Sequence, residues 1–193
     1  VVFMSQQTRK LTTIAILSAI SAVLITLVHF PLFPSAAFLQ YDPADVAILI
    51  GGFAFGPVSG IIITVLASFI EAFFLGQDGP YGFLMHVIAS GAMVTVASII
   101  YRYRHTRTGG LIALIAGTVA RGLVMLPANH FITPYFMGAP TAVVDAMLLP
   151  PILPFNLLVG AINSAITFAV YKTVSRHIIH GEGWNKPAAG QEA

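Results

Sequence analysis

Charged residues are scarce in this chain, and most of the basic ones lie in three short clusters between long apolar stretches. Nine Lys or Arg and seven Asp or Glu occur among 193 residues, and 57% of the chain is hydrophobic. The basic clusters are Arg9-Lys10, Arg102–Arg107 and Lys172 with Arg176. Roughly 20 apolar residues cross the ~30 Å hydrocarbon layer, and this chain has enough for about six crossings. We therefore predict an integral membrane protein.

The positions of the basic clusters predict the topology. Lys and Arg remain on the cytoplasmic side beside short loops, so the three clusters should share that side. The apolar stretch Val46–Leu75 could form one helix or two, and only two helices, separated at Gly56-Pro57, place every basic cluster inside. The predicted segments are Leu11–Phe30, Pro43–Phe55, a third from Pro57 to Leu75, Tyr81–Tyr101, Gly110–Asn129 and Pro150–Tyr171.

The expected fold is therefore all-α, with six transmembrane helices and both termini in the cytoplasm. Residues 1–180 should form one membrane domain, and residues 181–193, which are polar, should form a disordered cytoplasmic tail. The acidic residues Asp42, Asp45, Asp78 and Asp145 all fall in the other inter-segment stretches, on the outer side.

Several functional classes find no support in the sequence. The chain has no cysteine for a disulfide or a thiolate metal site, and it contains no Walker A, His-Glu-x-x-His or Gly-x-Ser-x-Gly motif. We expect no enzyme activity, no metal and no cofactor in this chain. The pI of about 9.1 reflects the cytoplasmic loops, so we do not expect nucleic-acid binding.

Four polar side chains within the apolar segments are the strongest functional signal. Glu71, His86, Asn129 and Asn156 lie on four predicted helices at a similar level in the outer half. A polar group in lipid is costly unless it faces a cavity or another polar group. We predict that the four converge on a pocket for a polar small molecule. The alternative, in which Glu71 and His86 only satisfy each other, remains open.

Arg121 lies near the predicted bilayer midplane, where it could be a structural anchor or contact an anionic substrate. We favour the structural role. The outer loop Pro31–Asp45 is rich in Pro and apolar residues and is predicted to fold over the pocket as a lid. Small residues on one stripe of segment one could dock a partner helix or pack internally. These residues are Ala15, Ala19 and Ala22.

Several short motifs together resemble the substrate-binding S components of energy-coupling-factor (ECF) transporters. They are Phe38–Asp45, Ile48–Gly51, Phe55–Pro57, Leu153–Leu157 and the Ala-x-x-x-Ala of segment one. The resemblance covers about residues 8–176 and is greatest to the riboflavin branch. It implies a six-helix protein of the bacterial cytoplasmic membrane that binds a vitamin with its outer half, with Leu39, Tyr41 and Asp42 among the contacts.

The resemblance also implies partners and a transport cycle. Such a protein would dock on a transmembrane coupling subunit through segment one, use two cytosolic ATPase subunits as its energy source, and topple in the membrane to release substrate. Two other classes stay open, a stand-alone secondary carrier and a structural membrane protein. Glu71 is the only acid within the predicted segments, which disfavours ion coupling.

Departures from the riboflavin pattern change the expected ligand. Val159 occupies a position that is usually ionisable in that branch, and Glu71 and His86 stand where basic and Asn-like residues are usual. A carboxylate favours a ligand that brings hydrogen-bond donors. We therefore rank hydroxymethylpyrimidine or pyridoxine first. Pantothenate ranks second, and its carboxylate would call on Arg121 or His86. Riboflavin is the further alternative.

Overall fold

The computed structural model describes residues 6–74 and 79–174, which form a helical bundle. Three predictions concern residues outside these ranges: the positions of Asp78 and Arg176, and the disordered tail at 181–193. Within the described ranges, the only strands are a pair of two residues each, Phe30–Pro31 (β1) and Gln40–Tyr41 (β2), paired antiparallel. The all-α prediction is confirmed, and this two-residue pair is the one exception in the described residues.

Seven α-helices follow one another along the described chain. They are α1 (Gln6–Leu27), α2 (Ala44–Phe55), α3 (Pro57–Phe74), α4 (Gly79–Tyr103), α5 (Arg107–Met137), α6 (Thr141–Met147) and α7 (Leu153–Val174). A 3₁₀ turn, Pro34–Ala36, lies between the strands, and a π-helical turn, Leu148–Ile152, joins α6 to α7.

Two helices differ most in extent from the predicted segments. α1 begins five residues before Leu11 and ends three before Phe30, because the chain turns into β1 there. α5 runs for 31 residues and continues through Pro127 and Pro134, well beyond the predicted end at Asn129. A proline removes one backbone hydrogen bond from a helix but does not always end it when neighbouring elements hold the chain.

The predicted break at Gly56-Pro57 is confirmed. Gly56 ends α2 with φ of 88°, a left-handed conformation that favours glycine, and its N–H bonds to the carbonyl of Gly52. Pro57 is the first residue of α3, where a missing N–H costs nothing. The stretch from Val46 onward is therefore two helices.

Five helical stretches of the described chain are long and apolar enough to cross a membrane, and α2 is not among them. With 12 residues, α2 extends only about 18 Å. It is instead the central helix of the bundle, since every residue from Ala44 to Phe53 is buried. A helix that is apolar on all sides is expected in such an interior position. The count of six crossings and the orientation of the termini stay predictions.

The two ends of the bundle differ in charge. Arg9 and Lys10 lie in the first turns of α1, Arg102 in the last turn of α4, and Arg107 begins α5. The segment that joins α1 to α2, residues 28–43, lies at the opposite end and contains the hairpin. We call it the lid segment. It packs with α6 and the start of α7 in an apolar cluster that includes Val144, Ile152 and Phe155.

Candidate functional site

A cavity opens beside the lid segment, at the end of the bundle opposite the basic residues. It has a volume of about 150 Å³, or about 900 Å³ when the open space at its mouth is included. Five elements supply its walls: the lid segment, the end of α3, the start of α4, the second half of α5 and the start of α7. The four polar residues predicted to converge all line it, namely Glu71, His86, Asn129 and Asn156.

Glu71 and His86 form a close pair in the cavity wall. Glu71 lies in the last turn of α3 and His86 in the second turn of α4, and the His86 Nδ1 to Glu71 Oε2 distance is 2.5 Å. Their side chains are only 11% and 13% exposed. The pair that the sequence left open therefore forms, and both of its residues also line the cavity. Only one oxygen of Glu71 is used in this pair, so the other can accept a further hydrogen bond.

Asn129 and Asn156 are fixed by neighbouring groups on their own helices. Asn129 donates to the Met125 carbonyl at 2.8 Å and accepts from the Thr133 hydroxyl at 2.8 Å. Asn156 donates to the Ile152 carbonyl at 2.9 Å. Each amide has two donor hydrogens and two acceptor lone pairs. Both side chains are thus held in one orientation and still have hydrogen-bonding capacity for a ligand.

Arg121 is the centre of a buried polar network behind the cavity. Its Nη1 donates to Asp45 Oδ2 at 2.6 Å and to the Ser90 hydroxyl at 3.3 Å, and its Nε donates to Asn156 Oδ1 at 3.3 Å. The guanidinium also lines the cavity. The interpretation of Arg121 as a structural anchor agrees with these bonds. An unpaired guanidinium in apolar surroundings is costly, and Asp45 neutralises it.

The sequence placed Asp45 both in the outer loop Pro31–Asp45 and at the start of the predicted segment Pro43–Phe55, and the loop placement is wrong. Asp45 is the second residue of α2 and is 2% exposed. The prediction that Glu71 is the only acid within the helical segments is also wrong, because Asp45 lies in α2. Asp45 sits at the boundary between a polar loop motif and an apolar run, so its helical position was not evident from composition. Its partner Arg121 is 76 positions away in sequence, and only tertiary structure brings them together.

The lid segment is tied to α7 through one amide. Asn163 accepts from the Tyr41 hydroxyl at 3.1 Å and donates to the Asp42 carbonyl at 3.0 Å and to Asp45 Oδ2 at 3.2 Å. Tyr41, which is part of β2 in the lid segment, is therefore buried and is not among the cavity-lining residues, unlike Leu39 and Asp42. Tyr41 was predicted to contact the ligand, and in the structure its hydrogen bond to Asn163 holds the lid segment in position.

Asp42 lies between β2 and α2, next to the Glu71–His86 pair. Burial raises the pKa of the Asp42 carboxyl, and the Glu71 and Asp45 carboxylates act in the same direction, whereas His86 opposes them. A carboxyl with a raised pKa holds its proton to higher pH than an exposed aspartate does. In that form it donates a hydrogen bond as well as accepting one.

Asp42, Glu71 and His86 also form the one group of potential metal ligands found in the described residues. One ligand atom from each lies within 4.8 Å of the others. The set of two carboxylates and one imidazole is chemically able to hold a divalent cation. However, His86 Nδ1 and Glu71 Oε2 already bond to each other. The expectation that this chain needs no metal stays a prediction.

Several cavity residues were not predicted from the sequence. His29 lines the cavity, and both of its ring nitrogens are buried without a hydrogen-bond partner. Aromatic and sulfur-containing side chains supply much of the apolar wall. They are Phe38, Tyr81, Met85, Met125, Phe136 and Phe155. Apolar residues at helical spacing are common in any membrane helix, so the sequence contains no signal that distinguishes these from lipid-facing ones.

The small-residue stripe of α1 is divided between two environments. Ala15 and Ala19 are exposed on the bundle surface, whereas Ala22 is 8% exposed and packs internally. The exposed part thus offers a surface on which another helix can approach closely. Docking of a partner at Ala15 and Ala19 stays a prediction, and Ala22 differs from them in facing the bundle interior.

Comparisons with known proteins agree on one group of membrane proteins. Residues 9–171 match the family described as ECF transporter, substrate-specific component. The chain is similar to the riboflavin transporter RibU of Staphylococcus aureus (strain TCH60), with 28% identity over 179 residues that cover 90% of this chain and 94% of the relative. It is 31% identical over 184 residues to the riboflavin transporter RibU of Streptococcus thermophilus (strain ATCC BAA-250 / LMG 18311), covering 88% and 84%.

The fold agrees with the sequence comparisons. A solved structure described as the S component of a bacterial ECF transporter superimposes with a TM-score of 0.78 and 27% sequence identity. The match covers 88% of this chain and 97% of that one. The arrangement of helices is therefore shared over nearly the whole chain.

We predict that the ion pair between Arg121 and Asp45 is essential for stability. Asp45→Asn or Arg121→Met alone should destabilise the protein by about 3–5 kcal/mol, because each leaves an uncompensated buried group. The double variant Asp45→Asn with Arg121→Met should be less destabilised than the sum of the two single changes. Thermal unfolding of the ligand-free protein in detergent measures this.

The matched control is a second acid–base pair at the surface. His130 Nδ1 and Asp145 Oδ1 are also 2.5 Å apart, but their side chains are 38% and 43% exposed. Asp145→Asn should lower the free energy of unfolding by less than about 1 kcal/mol. An Asp45→Asn variant that unfolds at the wild-type temperature would contradict the prediction.

Proposed function

This chain belongs to the family of substrate-specific components of ECF transporters, and on that basis we propose that it captures riboflavin at the outer face of a bacterial membrane. It is a multi-pass membrane protein that takes part in transport and not an enzyme. The observation that carries the proposal is the cavity under the lid segment. Its apolar walls are aromatic and methionine-rich, and amide and carboxylate groups converge on the same space.

The chemistry of riboflavin matches these two kinds of wall. Its flat tricyclic ring is apolar on both faces and suits the aromatic side chains Phe38, Tyr81, Phe136 and Phe155. One edge of the ring carries alternating hydrogen-bond donors and acceptors, and the ribityl chain carries hydroxyl groups. The amides of Asn129 and Asn156 and the free oxygen of Glu71 can bind such groups without a charge on the ligand.

The relatives change the ranking of ligands made from the sequence. The curated relatives are named riboflavin transporters, which favours riboflavin over hydroxymethylpyrimidine or pyridoxine. The departure at Val159 weighs less than expected, since Val159 is 1% exposed, packs in the apolar cluster behind the lid and is not among the cavity-lining residues. Glu71 is paired with His86, so it does not present an isolated buried charge to the ligand.

The orientation of the protein follows from its charge distribution. Arg9, Lys10, Arg102 and Arg107 lie at one end of the bundle and the cavity lies at the other. The positive-inside rule places the basic end in the cytoplasm, so the cavity faces outward. Release of substrate inward then requires partners. We propose a transmembrane coupling subunit that contacts α1 at Ala15 and Ala19, together with two cytosolic ATPase subunits.

The first prediction concerns the ligand itself. Protein purified in detergent should retain riboflavin, identified by mass spectrometry, and the emptied protein should quench riboflavin fluorescence at a one-to-one ratio with sub-micromolar affinity. Hydroxymethylpyrimidine, pyridoxine and pantothenate should not displace riboflavin at equal concentration, because none of them fills the aromatic wall. Displacement by any of these three at lower concentration than riboflavin would reject the assignment and identify the preferred class.

Glu71 provides a second prediction. Glu71→Gln should weaken riboflavin binding by roughly 1–3 kcal/mol, the cost of losing a hydrogen bond to a charged group. Asp145→Asn is the matched control, since it changes the same chemistry in an acid–histidine pair outside the cavity. Equal affinities for wild type and Glu71→Gln would remove Glu71 from the ligand contacts.

Partner docking gives a third prediction. Ala19→Trp should abolish co-purification with the coupling and ATPase subunits and leave riboflavin affinity unchanged, because Ala19 is exposed on α1 and is not among the cavity residues. Leu123→Trp on the exposed face of α5 is the control for a bulky surface residue. Wild-type assembly of the Ala19→Trp protein would favour a stand-alone carrier or a different docking face.

A further inference from the structure

A second cavity lies far from the lid, as a groove between α5 and α7 on the outside of the bundle. It contains about 850 Å³ of empty space, counting its open side. Its lining is mostly aliphatic and aromatic, with two hydroxyl groups. The lining residues are Leu111, Leu114, Ile115, Thr118, Val119, Ala161, Ser164, Ala165 and Phe168.

The two hydroxyl groups in the groove are already satisfied within the protein. Thr118 Oγ1 and Ser164 Oγ lie 3.1 Å apart, and Ser164 also donates to the Leu114 carbonyl at 3.5 Å. The groove exists because small residues face it from α7. Ala161 and Ala165 are both exposed on that helix. The groove therefore offers an apolar guest a surface without unpaired polar groups.

A guanidinium marks one end of the groove. Arg107 lies one helical turn before Leu111 on α5, and its Cζ is 5.7 Å from the centroid of the Phe168 ring. Phe168 is itself a groove residue. The exposed Arg104 and Arg102 lie nearby in sequence, at the end of α4 and the start of the loop. An anionic group at this end would meet the Arg107 guanidinium directly after leaving the apolar lining.

The acidic residues of the described chain are all at the other end. Asp42, Asp45 and Glu71 surround the substrate cavity, and Asp145 lies on α6. Within the described ranges, no Asp or Glu occurs in α7 or in the part of α5 that lines the groove. The basic end of the groove is thus complementary to a negative charge.

The dimensions of the groove match one leaflet of a bilayer. Leu111 to Val119 covers about 12 Å along α5, and half of the hydrocarbon layer is about 15 Å thick. The groove runs inward from the basic end. In the orientation argued above, this end faces the cytoplasmic leaflet, where anionic lipids attract clusters of basic residues.

We propose that the groove between α5 and α7 binds an anionic phospholipid, with an acyl chain along the apolar lining and the headgroup phosphate at Arg107. The observation that supports this most directly is the continuity between an apolar groove of one-leaflet length and a guanidinium held at its end. The lipid would occupy this face independently of the substrate cavity. The proposal does not depend on which vitamin the protein binds.

The test is retention of defined lipids by the full-length protein. Delipidated protein is mixed with phosphatidylglycerol and phosphatidylcholine of identical acyl chains, and bound lipid is counted by native mass spectrometry. Wild type should retain phosphatidylglycerol about fivefold over phosphatidylcholine, the factor expected for one basic residue near an anionic headgroup. Arg107→Gln should bring the two lipids to equal retention, whereas Arg102→Gln, a control at the same end, should keep the preference.

A second pair of variants tests the groove itself. Ala161→Leu and Ala165→Leu fill it from α7, and both positions are exposed, so the added atoms do not enter the bundle core. Each should reduce retention of both lipids at least fivefold, whereas Leu123→Phe, outside the groove lining, should not. The thermal unfolding temperature of every variant, compared with that of the wild type, reports correct folding.

Three results would overturn the proposal. The first is equal retention of the two lipids by wild type. The second is an unchanged lipid preference in Arg107→Gln. The third is wild-type lipid retention in the filled-groove variants. If these variants also change self-association or co-purification of the transporter subunits, the groove would be assigned to a protein partner. Loss of riboflavin binding in the wild type would count against the proposed substrate and leave the lipid result interpretable.

Discussion

The ion pair between Arg121 and Asp45 connects the helices that line or support the cavity. It joins α5 to the first turn of the buried helix α2, and its neighbours Ser90 and Asn156 bring in α4 and α7. A charge in apolar surroundings requires a partner and further hydrogen bonds. Because these groups come from four helices, they hold those helices together at the floor of the cavity.

The lid and the cavity share this network. Asn163 bonds to Asp45, to the Tyr41 hydroxyl and to the Asp42 carbonyl, so the base of the lid is attached to the same carboxylate that neutralises Arg121. Movement of the lid during ligand entry would therefore disturb polar groups that line or support the cavity. Binding and lid closure are expected to be linked through contacts that are already formed in the protein.

The bundle separates two kinds of surface along its length. The acidic and amide groups gather around the substrate cavity, whereas the basic groups and the α5–α7 groove occupy the other end. This separation suits the proposed capture of a neutral polar ligand on one side and the proposed contacts with anionic lipid and cytosolic partners on the other. Ala15 and Ala19 on α1 offer a third, apolar surface for a helical partner.

The sequence determined the membrane character, the break at Gly56-Pro57 and the convergence of Glu71, His86, Asn129 and Asn156, because hydropathy, glycine–proline geometry and the cost of polar groups in lipid act locally. It did not reveal the buried position of Asp45, the place of His29 in the cavity or the split of the α1 stripe. These depend on contacts between residues far apart in the chain. Only tertiary packing decides which apolar neighbours face a cavity, a lipid or one another.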